Sequence, residues 1–347
     1  MPFPAPPPMV VLPAPPGVNH GAGLAALGGE SLLACWYSGR SEAGPEVVIL
    51  CSRGRDLGAY WSSPWTISTP HEQALTATHP AKSLGNVALA RDAGGRVVMI
   101  VGEIQSRRLA GVETCRTWRC GRIDFRISTD DGASWSPPTR LDDRAGALPR
   151  GRPVTASGLG DLVPVYQERG RAGVLRLDLA RLAPGARPSA TTMAIPAAGP
   201  VIQPSLVATP GRVMAYLRDP GRRFVQVSTL EAGGWSPARP TNLDNPGSAV
   251  EAFADLRGRV VLVHNPGRRD RRRLALAVST DGARFGEACD LVPPGGAGEA
   301  AYPSVTELGP GRWGLTFSID GKRRIAFTRL DQAFIDACVG HGARGSG

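Results

Sequence analysis

No apolar run in this chain comes near the roughly 20 residues of a membrane span, so no membrane-crossing helix and no membrane partner are expected. Long stretches of 3.6-residue apolar period are also missing, apart from a short one near Gln332 to Val339, which excludes a helical bundle. Cysteine is scarce. Cys35, Cys51, Cys115, Cys120, Cys289 and Cys338 are too few to make a dense disulfide framework in 347 residues. Cys115 and Cys120 are close enough to bridge within one loop, but no paired CxxC spacing exists, so no metal is expected and buried or free thiols are. The first residues, MPFPAPPPMVVLPAPPG, lack a positively charged segment and are interrupted by proline, which makes a poor secretory leader. The expectation is a cytoplasmic protein, or a secreted one whose start has been trimmed.

Glycine, proline and arginine are abundant instead. The 44 Gly and 32 Pro require frequent turns, and aromatic residues are few. The formal net charge of +10 comes largely from arginine. A nucleic-acid binder is one reading of that charge, with the run Arg268, Arg269, Arg271, Arg272 and Arg273 as its best support. That reading is disfavoured, because no RNA or DNA motif accompanies the run and the other basic residues are scattered. An acidic small ligand, such as a carboxylated sugar, uses the same charge more economically. No cofactor is expected, and nothing in the sequence fixes an oligomeric state.

The stretch Ile127 to Trp135, ISTDDGASW, reads as a strand end, a tight turn and a strand restart. Ser128, Asp130, Gly132 and Trp135 stand at S-x-D-x-G-x-x-W, the Asp-box pattern. The carboxylate accepts from backbone N–H groups of its own turn, Gly takes a positive φ, and Trp covers the base of the hairpin. Such a box is a structural staple and not catalytic machinery. Weaker copies occur at Asp56, Gly58 and Trp61, at Ser279, Asp281, Gly282 and Phe285, and at Ser228 and Trp235, where Leu230 and Ala232 replace the Asp and Gly. Together they point to repeated hairpins.

A second repeat is stronger. Six segments, starting at His20, Gly85, Arg152, Gln203, Ser248 and Tyr302, share an apolar strand, a turn with Gly and a second apolar strand. They begin roughly 45 to 67 residues apart, the range of four-stranded propeller blades. The expected fold is all-β, a six-bladed β-propeller over 18–331, with blades near 18–75, 76–145, 150–198, 200–243, 246–293 and 299–331. Residues 1–17 form a proline-rich arm in which Met9 to Leu12 adds one strand to the last blade, and 332–347 form a tail.

In each such hairpin the start of the first strand and the end of the second lie at the same face of the disc. The starts supply His20, Asn86, Arg152, Gln203, Glu251 and Tyr302; the ends supply Arg40, Glu42, Glu103, Glu168, Arg218, Asn265 and Asp320. A polar ring around the central channel is the candidate site. Hairpin ends are polar in any case, so a solvated loop is the competing reading for each residue alone.

With these segments in hand, the chain from His20 to about Leu330 resembles the sialidase-like (neuraminidase, BNR-repeat) superfamily, in its bacterial exo-alpha-sialidase-like branch. The resemblance is carried by HGAGLAAL, WYSGRSEAGPEVVI, GNVALARDAGGRVV, the Asp-box, IQPSLVATPGRVMAYLR, NPGSAVEAFADLRGRVVLVHNP with RRRLALAVSTDG, and EAAYPSV, in that order. It implies a glycosidase acting on an acidic sugar, with an arginine triad for the carboxylate, a Tyr nucleophile and a carboxylic acid/base. Position by position it implies Tyr302 as the Tyr, Arg218 as the second arginine, Arg271 or Arg272 as the third, and Glu42 or Glu46 as the acid; Asn86 and Glu251 join them as substrate-binding candidates from the strand starts alone. Two positions depart from the pattern. Gln203 stands where a Tyr-activating Glu is expected, and an amide takes no proton from a phenol; His20 stands in place of the first arginine. The competing reading is a non-catalytic sugar-binding propeller.

Overall fold

The computed structural model describes residues 3–73, 81–105, 107–109, 112–115, 117–295 and 298–342. Six antiparallel sheets of four or five strands are arranged as the blades of a β-propeller, and the innermost strand of each blade packs beside the next until the sixth meets the first. The first blade comprises Val18–Gly28, Ser31–Gly39 and Val48–Arg55, with its outer strand in two pieces, Tyr60–Trp61 and Trp65–Ser68. The second comprises Ala81–Arg91, Val97–Gln105, Gly121–Ser128 and Thr139–Asp142. In the fourth the inner pair is Ile202–Thr209 and Arg212–Arg218. The fifth is built on Glu251–Ala254 and Val260–His264, and the sixth on Ala301–Gly309 and Arg312–Ile319.

Met9–Val11 pairs with Arg324–Asp331, placing Met9 opposite Thr328, so the first strand of the chain completes the last blade and ties the ring shut. At the other end Gln332–Gly342 is a helix rather than a loose tail. Asp336 accepts from Arg257 and Arg259, and Cys338 is bonded to Cys289.

Strands between two neighbouring blades are apolar on both faces, which is why these segments read as near-continuous apolar runs. In Ser31–Gly39, Leu33, Cys35 and Tyr37 pack toward the second blade, while Leu32, Ala34 and Trp36 pack with Leu12, Ile325 and Phe327 of the closing blade. Period two sends alternate residues to opposite neighbours.

The third blade departs from the expected single inner strand. Two short strands, Ala147–Pro149 and Val154–Ala156, both pair with Gly160–Gln167, and the chain between them is 150–153. Pro149 and Pro153 lack the N–H that a continuous ladder requires, and Gly151 sits at φ +88°. This break presents Arg150 to the channel.

Expected thiols are corrected by the structure. Cys35 and Cys51, which face each other directly in the register of the first blade, form a disulfide, as do Cys289 and Cys338; Cys120 is also disulfide-bonded. The side chain of Cys115 lies outside the described residues.

The complete Asp-box forms the turn between the third and fourth strands of the second blade. Ser128 Oγ donates to Asp130 Oδ1 (2.7 Å) and accepts from the N–H of Gly132 (2.7 Å), and Asp130 accepts from the Ser134 N–H (2.8 Å). Trp135 Nε1 donates to the Gly132 carbonyl, and Gly132 has φ +87°. Trp61 repeats the bond to Gly58, and Ser279, Asp281 and Gly282 repeat the serine–aspartate network. At Ser228 and Trp235, where Asp and Gly are missing, only a serine-to-backbone bond remains, and Trp235 Nε1 is buried without a partner among the described residues.

Candidate functional site

Two residues without a glycine's freedom hold positive φ at matching places in the ring. Gln203 (φ +53°) and Tyr302 (φ +59°) each precede a proline at the start of an inner strand, and Gly21 (φ +67°) occupies the equivalent place after His20. The ladder skips at all three, between Ile202 and Ser205, Ala301 and Ser304, and His20 and Gly23. A bulge of this kind turns a side chain out of the pleat, and each such backbone costs about 1–3 kcal/mol unless its surroundings hold it. All three bulges point side chains at one spot.

At that spot Tyr302 is 8 % exposed. Its Oη accepts from Arg218 Nη1 (3.2 Å) and from Gln203 Nε2 (3.2 Å). Arginine only donates, and Arg218 Nη1 lies 3.0 Å from Gln203 Oε1, so the amide oxygen is fixed toward Arg218 and its NH2 toward the tyrosines. Gln203 Nε2 also donates to Tyr166 Oη (3.2 Å), which accepts from Asn86 Nδ2 as well (3.0 Å). The Arg271 guanidinium lies 6.0 Å and that of Arg150 5.1 Å from the Tyr302 ring centre, and the His20 ring stands 4.2 Å away.

Two carboxylates complete the cluster, each accepting from a tyrosine of its own blade. Glu168 is half-buried and bonded to Tyr166, and Glu42 is bonded to Tyr37 and paired with Lys322 Nζ at 2.8 Å. Burial pushes both Tyr37 and Tyr166 well above the ordinary phenol range, so both keep their protons and act as donors to these carboxylates. Tyr302 is different. Burial alone would raise its pKa, but Arg218, Arg271 and the Gln203 bond outweigh burial and leave it below the usual 10. Among the described residues no carboxylate bonds to its hydroxyl.

Burial pushes the Glu168 carboxyl above its usual range, Arg218 and the Tyr166 bond pull it back only in part, and Glu42 adds to the rise. His20 is held well below 6.5 by burial, then by Lys322, Arg150, Arg271 and Arg218, so it stands neutral at pH 7. Its Nδ1 meets Ser318 Oγ at 2.7 Å. His20 Nε2, Arg218 Nε and Arg150 Nε are buried with no hydrogen-bond partner among the described residues. Buried polar atoms are nearly always satisfied, so three orphans at one centre mark it as a place for a polar ligand.

The structure therefore brings together Tyr302, Gln203, Arg218, Arg271, His20, Asn86 and Glu42. It leaves three expected residues out. Glu46 is exposed and its Oε1 accepts from the backbone N–H groups of Arg40 (2.9 Å) and Ser41 (3.3 Å), so it braces its own loop. Arg272 is exposed, with its backbone bonded to Asp270, while Arg271 is the neighbour that reaches Tyr302. Glu251 is fully buried against Ser205 Oγ (3.1 Å) and Arg152 (3.7 Å), and among the described residues no hydrogen bond joins it to the Tyr302 network. Ser128, Asp130, Gly132 and Trp135 lie in the turn at the other end of the strands. Sequence reasoning passed over Tyr37, Tyr166 and Arg150, and gave Glu168 no role. The signal for the tyrosines is the repeated W-Y-S-G and V-Y-Q-E at the ends of second strands.

The sequence matches the family described as BNR repeat-like domain over residues 30–315. Among curated proteins none is matched. Among solved structures, a point mutant of the NanB sialidase from Streptococcus pneumoniae is similar at TM-score 0.73 and 13 % identity, covering 96 % of this chain and 72 % of that one. The intramolecular trans-sialidase from Ruminococcus gnavus is similar at TM-score 0.70 and 12 % identity, covering 91 % and 95 %. A protein of unknown function from Dyadobacter fermentans is similar at TM-score 0.72 and 16 % identity, covering 93 % and 97 %. At these identities the likeness is one of fold. The chain belongs to the BNR repeat-like domain family, and its six-bladed propeller has the fold of those sialidase structures.

Proposed function

We propose that the protein is a sialidase-like glycoside hydrolase acting on an acidic sugar of sialic or uronic type. The observation that carries this reading is the Tyr302 hydroxyl, which receives hydrogen bonds from a cation and an amide and gives none to a carboxylate. Two donors on one phenol oxygen stabilise its ionised form, so the phenol is activated by charge where a glutamate base is missing. Arg218 and Arg271 hold the sugar carboxylate, and neutral His20 supplies a further polar contact. Tyr302, its phenolic proton lost to solvent, attacks the anomeric carbon as the phenolate while the bond to the leaving oxygen breaks and Glu168 gives that oxygen a proton. Water then displaces Tyr302, giving its proton back to Glu168. Glu168 suits the first step because it keeps its proton to higher pH than an ordinary glutamate. Glu42 is the second candidate for the same role.

Gln203 favours one other reading. A propeller that binds acidic sugars without cleaving them keeps the arginines and needs no base at that position. Hydrolysis of aryl glycosides of sialic and uronic acids by the parent and by Tyr302→Phe separates the two. Turnover that vanishes with the hydroxyl supports the enzyme. A parent that binds the free acids and releases nothing leaves the binding module. The disulfides further favour an oxidising compartment, and hence a secreted protein over a cytoplasmic one.

A further inference from the structure

The arginine run 268–273 is only partly used by the cleft, since Arg271 alone of the five reaches Tyr302. The segments 219–223 and 265–273 both follow second strands, ending at Arg218 and His264, and so both rise on the cleft face. They are joined to the cleft without a gap. Arg271 Nη2 donates to the Gly247 carbonyl (2.7 Å), and the Arg222 side chain packs against Gly247, 3.1 Å from where a Cβ would stand. Arg268 lies over the Phe224 ring (4.6 Å) and pairs with Asp244 (2.8 Å). Beside it is a cavity of about 310 Å³ whose walls include Phe224, Arg223, Asp219, Gln226, Pro200 and Pro240. That is the low end of the range for small-molecule sites, about 300–1,000 Å³.

Charge separates this rim from an ordinary solvated surface. Arg223, Arg268 and Arg273 are each paired with an aspartate. The guanidinium groups of Arg222, Arg269 and Arg272 are exposed and make no ion pair or hydrogen bond among the described residues. These three unneutralised forks are chain neighbours of Arg223 in the wall of the hollow, of Arg268 over its aromatic wall, and of Arg271 at the cleft. A single-stranded nucleic acid needs a series of aromatic platforms, and here Phe224, the aromatic residue of the cavity wall, already carries Arg268 on one face. Carboxylates repeated once per sugar match separate guanidinium forks better.

We propose that this rim is a second anion subsite, and that the ligand is an acidic oligosaccharide with carboxylates on successive sugars, one in the cleft and others over blades four and five. The proposal rests on the acidic-sugar reading of the cleft. It is tested by titrating N-acetylneuraminic acid and galacturonic acid, their tetramers and a single-stranded DNA oligonucleotide against the parent, R222S/R269S/R272S and Arg218→Ala. One tetramer should bind about tenfold tighter than its monomer, equivalent to about 1.4 kcal/mol. The triple variant should lose that gain and keep the monomer affinity. Equal affinity for monomer and tetramer, or a gain that survives the triple variant, overturns the rim. DNA that binds tighter than either tetramer and is lost in the triple variant replaces the saccharide with nucleic acid. A rim-dependent tetramer gain together with a silent Arg218→Ala leaves the rim standing and removes the cleft reading instead.

Discussion

The two ends of the same strands are built by opposite rules. At the turn end, Ser128, Asp130 and Gly132 satisfy one another within five residues, and the left-handed conformation falls on Gly132 and on Asp131, a residue type that tolerates it. At the cleft end, Gln203 and Tyr302 hold positive φ, and His20 Nε2, Arg218 Nε and Arg150 Nε are buried without partners among the described residues. A protein whose stability is only about 5–15 kcal/mol keeps such features where they serve something other than stability. Changes at the cleft end should therefore cost function and spare the fold, and changes at the turn end should do the reverse.

The largest effect is expected at Tyr302. Phe fits nearly the same space, and loss of a proton-transfer or nucleophilic oxygen lowers turnover by about 10²–10⁴-fold with binding largely kept. Steady-state kinetics on the aryl glycosides checks this, alongside the urea midpoint, which should hold. An equally active Tyr302→Phe moves the reacting centre elsewhere. Next, Arg218→Ala should weaken acidic sugars by about 2–5 kcal/mol, because a half-buried carboxylate loses a charge-assisted fork. Arg218→Lys should recover only part of it. Calorimetry that finds neutral and acidic sugars bound alike would remove the clamp.

A smaller effect concerns pH. A general acid works only while protonated, so activity should fall as pH rises through the Glu168 pKa, which burial has placed above the usual carboxyl range. Glu168→Gln should abolish that falling limb along with most of the rate for poor leaving groups. If Glu42→Gln removes the limb and Glu168→Gln keeps it, Glu42 is the acid.

The same contrast governs what could be read from the sequence. The Asp-box is legible because all its bonds lie within one short turn, and the blades are legible because their strands and turns recur. The ring of polar residues at the cleft face followed from hairpin geometry. Which of them turn inward did not, because that depends on loop folding. Glu42 and Glu46 are four residues apart, yet the turn in which the Gly44 N–H bonds to the Ser41 carbonyl carries Glu46 back onto the Arg40 amide. Tyr166 looks like an apolar strand residue until Asn86 and Gln203 of the neighbouring blades reach it, and Tyr37 until the loop after its own strand brings Glu42 back to it. Arg150 was hidden by the broken inner strand, since the strand had been expected to begin at Arg152. The Cys35–Cys51 bond needs the register of two strands, and 16 residues of sequence separation carry no sign of it.

At the turn end, Ser128→Ala removes an oxygen that both donates and accepts inside the box, with a cost of about 0.5–2 kcal/mol by analogy with lost helix caps. Urea unfolding should show it, and titration of an acidic sugar should not. A large loss of affinity in the folded variant would mean that the box and the cleft are coupled.

The smallest effect is the acid limb of stability. Hydrogen bonds from Ser134 and Ser128 hold Asp130 at about 2, and those from the Arg284 and Ala283 backbone hold Asp281 at about 2, both below the ordinary 3.8. A carboxyl whose folded pKa is depressed favours the folded chain fully above its unfolded pKa and loses that contribution as pH falls through the folded one. The window thus opens near pH 4 and closes near pH 2. Both groups are exposed, so water and salt screen the effect and the slope should be shallow. Urea midpoints for the parent and for the double variant Asp130→Asn, Asp281→Asn, followed across that window, should converge as the pH drops, because the variant has lost in advance what acid removes from the parent. Sugar affinity at neutral pH should be the same in both. Midpoints that stay parallel down to pH 2 would show that these carboxylates are not ionised for the sake of their turns, and the contrast between the two ends would then rest on the cleft alone.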